Sequence, residues 1–327
     1  MPRASSPVRQ NDKSMNNLIA SIRCVSPAGD ICGEGVVWDD MRGVAYWTDI
    51  NRFLIHRYCP ENKTTETWHF EEPVVTLALS EDPKILLVAL ASRLIWWSPE
   101  SDERLDHGFR LEDYPAIRFN DGRADPLGNF WVGTMQNNVR DDGETVEIDG
   151  RDGALYRISP DGKVTTWATG LGIPNTLCWS PDRRIFYTGD SMTGEIFAYD
   201  FDARSGELGE KRVHLAKVEP GIPDGSAIDS NGFIWNCRYS GGAILRLSPD
   251  GRIDRTIEMP CRSVTTATFG GPHLKTLYVT SASAMRAKGD RLAGSLWALE
   301  TSVAGLPENR VKLPQRSAAA GKSSGVD

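Results

Sequence analysis

Short apolar runs alternate with tight polar turns along this chain, and the same cadence returns through most of its length. Val36-Val37-Trp38 leads into Asp39-Asp40-Met41-Arg42-Gly43 and then Val44-Ala45-Tyr46-Trp47. It returns as Leu177-Cys178-Trp179, Ser180-Pro181-Asp182-Arg183-Arg184 and Ile185-Phe186-Tyr187, and again as Ala227-Ile228-Asp229, Ser230-Asn231-Gly232 and Phe233-Ile234-Trp235. Ala124, Pro126-Leu127-Gly128-Asn129 and Phe130-Trp131-Val132 follow the same plan. Val74–Leu79 with Ile85–Val88 and Thr265–Phe269 with Leu277–Val279 complete the series. β-Branched and aromatic residues fill these runs, turn formers break them, and no stretch holds a helical period, so each unit reads as strand, turn, strand. Six units spaced by about 40–55 residues match the period of four-stranded blades. The expected fold is all-β, a six-bladed β-propeller.

The outer half of a unit is also visible. Gly153-Ala154-Leu155-Tyr156-Arg157-Ile158 passes through Ser159-Pro160-Asp161-Gly162 to Val164-Thr165-Thr166-Trp167, and Ala243–Leu247 with Ser248-Pro249-Asp250-Gly251 repeats the design. Glycine accepts positive φ at no steric cost, so Asp161 and Asp250 are expected in tight turns and not among ligands. Val139 to Asp152 is a charged, glycine-containing insertion, either a lid over the channel mouth or solvated decoration, and decoration is the simpler reading. The ends, 1–17 and 316–327, are rich in Ser, Ala, Gly and charge and are expected to be disordered, leaving 18–315 as a single propeller domain.

Charge narrows the partners. With 37 Lys and Arg against 44 Asp and Glu the net charge is −7, which argues against nucleic acid or an anionic membrane and for a small polar molecule. No apolar run approaches the roughly 18 residues of a membrane span, and Met1–Asn17 lacks the apolar core of a signal peptide, so a cytoplasmic location is expected. The six cysteines form no Cys-x-x-Cys pair and the five histidines have no metal spacing, so reduced thiols and structural or exposed imidazoles are expected.

The candidate chemistry lies at the start of the repeat. Glu34, Asn120, Asn175 and Asp224 open four of the units in the same register. In a propeller the innermost strand of each blade faces the central channel, so residues in register are expected to converge at one end of it. Gly33 and Gly35 flank Glu34, Pro174 precedes Asn175, and Pro223 and Gly225 bracket Asp224, settings that fix the backbone and so aim the side chain. Two carboxylates and carboxamide oxygens are hard ligands suited to Ca²⁺, Mg²⁺ or Mn²⁺, and an open position on such an ion supports hydrolysis. Arg118 lies two residues before Asn120, on the same face of an extended strand, where it can bind ligand hydroxyls or a developing oxyanion.

Gly33-Glu34-Gly35, Arg118-Phe119-Asn120-Asp121-Gly122, Gly133-Thr134-Met135, Gly153-Ala154-Leu155-Tyr156, Ile173-Pro174-Asn175, Ile222-Pro223-Asp224-Gly225 and Phe269-Gly270-Gly271 occur in that order. In these stretches the chain resembles the senescence-marker-protein (regucalcin)/gluconolactonase family of sugar lactonases. The resemblance implies one divalent metal at the channel mouth held by Glu34, Asn175 and Asp224, substrate binding by Arg118 and Asn120, and hydrolysis of a sugar lactone to its aldonic acid, with Asp224 as general base. An oxygen site of this kind accepts several ions, so Ca²⁺, Zn²⁺, Mn²⁺, Mg²⁺ and Fe²⁺ are all candidates. Asn138 falls where some relatives carry an acidic substrate contact, and Thr176 where the family more often has glycine; both departures bear on the choice of substrate. Two other readings share the scaffold: an organophosphate or aryl-ester hydrolase, and a non-enzymatic calcium-binding regulatory propeller.

Overall fold

A computed structural model describes residues 18–286 and 288–314; the two ends expected to be disordered, 1–17 and 316–327, lie outside these residues, as does 315 of the expected domain. Every regular element among them is a β-strand, and the strands form six antiparallel four-stranded sheets. Blade one runs Gly33–Asp39, Val44–Asp49, Leu54–Cys59 and Thr64–His69 from the inside out. Inner strands of the other blades are Val74–Leu79, Ile117–Ala124, Pro174–Trp179, Ile222–Ile228 and Ser263–Gly270, each against the inner strands of its neighbours around the ring. Blade six is completed by the first strand of the chain: Ile19–Ser26 pairs with Leu296–Thr301 and closes the circle.

Burial follows position in the blade. Val74–Leu79 and Ser263–Gly270 are buried at every residue, whereas Thr64–His69, outermost in blade one, is exposed at all but Trp68. An inner strand is covered on both faces by adjacent blades and so reads as a continuous apolar run. Between blades three and four, the Phe186 ring lies 5.0 Å from Trp131 and 4.9 Å from Trp179. Each of two turns is tied to its own strand by a buried aspartate: Asp125 accepts from the Leu127 and Asn129 amides and from Trp131 Nε1, and Asp229 does the same with Asn231, Phe233 and Trp235. Asp161 and Asp250 sit in tight turns, each accepting from a serine two residues earlier.

The segment after Thr301 runs across the end of the channel where the inner strands finish. Ala304 O accepts from the Ser230 amide, Arg310 pairs with Asp39 and Asp40 at 2.8 and 2.6 Å, the Val311 amide donates to Leu79 O, and the Lys312 amide donates to Gly128 O. Glu308 reaches toward the axis, accepting from Thr268 at 2.6 Å and lying 3.6 Å from Arg123. The far end is thus strapped and plugged; the end where the inner strands begin holds the pocket described next.

Candidate active site

All six inner strands lose register with their neighbours near their first residues, with breaks between Glu34 and Val37, Phe119 and Gly122, Asn175 and Cys178, and Pro223 and Ser226 among them. A β-bulge re-aims side chains, and these bulges fall where the candidate ligands sit. Close approach of the blades depends on glycine here. A Cβ on Gly225 would lie 2.2 Å from Thr266 Oγ1 and 2.9 Å from Thr266 Cα in the next blade, and Gly35 holds φ at +58°. Glu34, Arg118, Asn120, Asn138, Asn175 and Asp224 line one pocket of about 170 Å³ at the channel mouth. Sequence position alone had not pointed to the rest of the wall, which includes Ile50, Met135, Ser191 and Tyr239. A signal was present for Ile173 and Ile222, which stand two residues ahead of Asn175 and Asp224 in matching Ile-Pro steps and give the pocket an apolar side.

A chain of hydrogen bonds orients both carboxamides. Ser191 Oγ donates to Pro223 O at 2.6 Å and therefore accepts from Asn175 Nδ2 at 2.8 Å, which leaves Asn175 Oδ1 on the opposite side. Asn120 Nδ2 donates to Pro174 O at 2.9 Å and to Asn175 Oδ1 at 3.3 Å, while its own oxygen accepts from Arg118 at 3.0 Å. Of the four oxygen-bearing side chains in register, Asn120 is thus the one whose oxygen is already engaged by a cation.

Arg118 differs from the expectation of a guanidinium with free donors. Its Nε and one terminal nitrogen donate to Asn138 Oδ1 at 3.0 and 2.7 Å, and the other donates to Phe119 O and Asn120 Oδ1. Four of its five N–H groups are consumed within the protein and the residue is only 4% exposed. Its main work is to hold Asn120 and Asn138, and the Asn138 Nδ2 is left as a donor without a hydrogen-bond partner among the described residues. Thr176 does not line the pocket. Its side chain is fully buried, its φ is +61°, and its hydroxyl donates to Asp224 O at 2.5 Å and accepts from Asn236 Nδ2 at 3.1 Å. It bears on the main chain of Asp224 and not on the pocket wall.

The pocket wall sets two carboxyls, Glu34 and Asp224, against one guanidinium, Arg118. Burial, then Asp224 and Asp121, push the Glu34 carboxyl well above its ordinary range, and burial with Asp121 does the same to Asp224. Asp121, one residue beyond Asn120 in the channel, is raised to about 6 by burial. Burial lowers Arg118 to about 10, and no lysine lines the pocket. Among the described residues no three His, Cys, Asp or Glu side chains group as metal ligands; the oxygen set here is two carboxylates and the oriented Asn175 carboxamide oxygen. Two buried carboxylates that disfavour each other's ionisation, facing an oriented amide oxygen, make a donor set that fits a hard divalent cation.

The insertion Val139–Asp152 is not simply solvated decoration. Its first part is a small hairpin, with Val139 bridged to Thr145 and the Val146 amide donating to Asn138 O, and Val139 is buried in the same apolar cluster as Ile50 and Phe119.

Fold and pocket together define a six-bladed propeller with a carboxyl-lined pocket at one mouth of its channel. Residues 32–283 match the SMP-30/Gluconolactonase/LRE-like region, and the chain belongs to that family. It is 33% identical to pentonolactonase XacC of Haloferax volcanii over 287 residues, covering 85% of this chain and 94% of that protein. It is 32% identical to the 6-deoxy-6-sulfogluconolactonase of Pseudomonas putida over 298 residues, 88% of this chain and 97% of that one. Among solved structures, a calcium-binding protein, regucalcin, from Agrobacterium tumefaciens superposes with a TM-score of 0.83 at 28% identity, covering 90% of this chain and 98% of the other.

Proposed function

We propose that the protein hydrolyses a sugar (aldono-)lactone to the corresponding aldonic acid, using one divalent metal ion, as a step in sugar catabolism. The observation that carries this reading is the meeting of Glu34, Asp224 and the oriented Asn175 oxygen in one pocket with Arg118, Asn120 and Asn138. The relatives named as lactonases of sugar acids support the choice of substrate. Glu34, Asn175 and Asp224 would hold the ion, which when bound supplies a Lewis acid for the lactone carbonyl. Asp224 acts as general base, taking a proton from the attacking water. The water oxygen bonds to the carbonyl carbon, the ring C–O bond breaks, and Asp224 returns the proton to the departing ring oxygen, which becomes a hydroxyl. Asn138 Nδ2 and the remaining N–H of Arg118 face the ring hydroxyls, Asn120 is held between them and Asn175, and Ile173 and Ile222 cover an apolar face of the ring. A pocket of about 170 Å³ is small against sites for drug-sized ligands and suits one sugar ring.

A calcium-binding protein without catalysis is the second reading, favoured by the description of the solved regucalcin structure. A pH-stat panel of pentono- and hexonolactones with an aryl ester, run on metal-stripped protein and after adding Ca²⁺, Mg²⁺, Mn²⁺, Zn²⁺ or Fe²⁺, separates the readings. Lactone turnover restored by an ion is the expected result. Ion binding with no turnover of any lactone would favour the second reading, and preference for the aryl ester would point to the other hydrolase class.

A further inference from the structure

The hairpin at the start of the insertion is fastened at a point that neither the repeat nor the family pattern marks. Asn51 lies in the turn between Val44–Asp49 and Leu54–Cys59 of blade one, is buried, and donates through Nδ2 to Gly143 O at 2.7 Å and to Thr145 Oγ1 at 2.9 Å. Gly143 is itself buried against this turn: its φ is +84°, and a Cβ there would lie 2.2 Å from Asn51 O. A segment that leaves blade three therefore reaches past blade two and docks on blade one. Its apolar anchor, Val139, shares a buried cluster with Ile50, the neighbour of Asn51 and part of the pocket wall. The residue opening the hairpin is Asn138, whose oxygen accepts two bonds from Arg118.

We propose that Asn51 is a positioning and specificity-determining residue: it clamps the 138–146 hairpin over the mouth, thereby holds Asn138 against Arg118, and limits the substrate to a single sugar ring. The specificity part rests on the lactonase reading above; the clamp itself does not. Both of its bonds come from one carboxamide to Gly143 and Thr145, beyond the Val139 anchor at the hairpin's base, so losing that donor loosens the tip without touching Glu34, Asn175 or Asp224.

The test uses the full-length protein loaded with the ion that best supports turnover, and compares Asn51→Ala, Gly143→Ala and Thr145→Ala with wild type. Gly143→Ala displaces the hairpin from the other side and guards against a misfolded Asn51→Ala; Thr145→Ala removes one of the two bonds. Arg140, exposed beside the turn of the hairpin, offers trypsin a cleavage site that is protected while the hairpin is docked. The expected result for Asn51→Ala is cleavage after Arg140 about tenfold faster, with KM for a monosaccharide lactone raised about tenfold and kcat within about twofold. Gly143→Ala should behave alike and Thr145→Ala lie between. Relative kcat/KM should shift toward lactones carrying a second sugar. Unchanged cleavage in both Asn51→Ala and Gly143→Ala overturns the clamp; faster cleavage with an unchanged KM and unchanged preference overturns the specificity role. Wild type that opens no lactone would refute the lactonase reading, and with it the specificity role, while the trypsin comparison still decides the clamp.

Discussion

Asp224 concentrates two demands in one carboxylate, since it is proposed both to hold the ion and to accept a proton. Asp224→Asn keeps the shape and removes charge and basicity, so turnover should fall by about 10²–10⁴ with the fold retained. Activity within a few-fold of wild type at saturating metal would locate the base elsewhere. Arg118→Lys is expected to raise KM for sugar lactones about tenfold, because a point charge cannot replace four donated bonds, three of which hold Asn120 and Asn138. Hydrolysis of an aryl ester, which presents no ring hydroxyls, should suffer less, and an equal loss on both substrates would tie Arg118 to the transition state. The raised carboxylates also set a pH dependence. Glu34 and Asp224 are pushed up by burial and repulsion and Asp121 stands at about 6. Protonated carboxyls of this kind favour the folded state, so the ion-free protein has this contribution in full below the ordinary carboxylate range and loses it as pH climbs through the raised values. A divalent ion needs the ionised forms, so the Tm gained on adding it to stripped protein should be larger at about pH 8 than at about pH 5.5. Equal gains at both would show that the ion binds away from these groups. Glu34, Asn120, Asn175 and Asp224 were legible from repeat register. Ser191 and Asn51 were not, because one follows a strand end and the other occupies a turn, positions whose role depends on which foreign segment arrives there.

At the scale of the element, strands were readable because two-sided burial writes itself as apolar runs, and the strand Ala243–Leu247 begins and ends where its residues suggested. The bulges were not readable. A bulge is a mismatch between two strands, and no property of Glu34-Gly35-Val36 taken alone says that it skips a partner. Glycine nevertheless carries a trace of it. Gly225 permits the inner strand of blade five to lie against Thr266 of blade six, and Gly225→Ala should cost about 1–3 kcal/mol by overpacking that contact. Because the displaced backbone adjoins Asp224, kcat should drop along with Tm in denaturation and rate measurements. A loss of stability with full activity would show that the bulge position does not govern the carboxylate. The insertion was misjudged at this scale for a related reason: its charged residues face solvent, while the contacts that fix it run through Gly143, Val139 and Asn51, which carry little weight in a count of polarity.

For the whole molecule, the number of blades follows from counting repeats, but the manner of closure does not, since neither Ile19–Ser26 nor the segment after Thr301 belongs to the repeat. Their roles arise from pairing with residues far away in the chain. That pairing has a consequence for synthesis. A polypeptide emerging from the ribosome amino end first can stack its blades in order, yet its first strand must wait beside an incomplete circle until Leu296–Thr301 has been translated. A strand made before all six blades is then among the last to be satisfied, its N–H and C=O groups an open edge until its partner arrives. Ile19–Ser26 exposes Ala20, Ser21 and the charged Arg23 between half-buried residues, and a charged side chain on such an edge lets it wait without recruiting another chain.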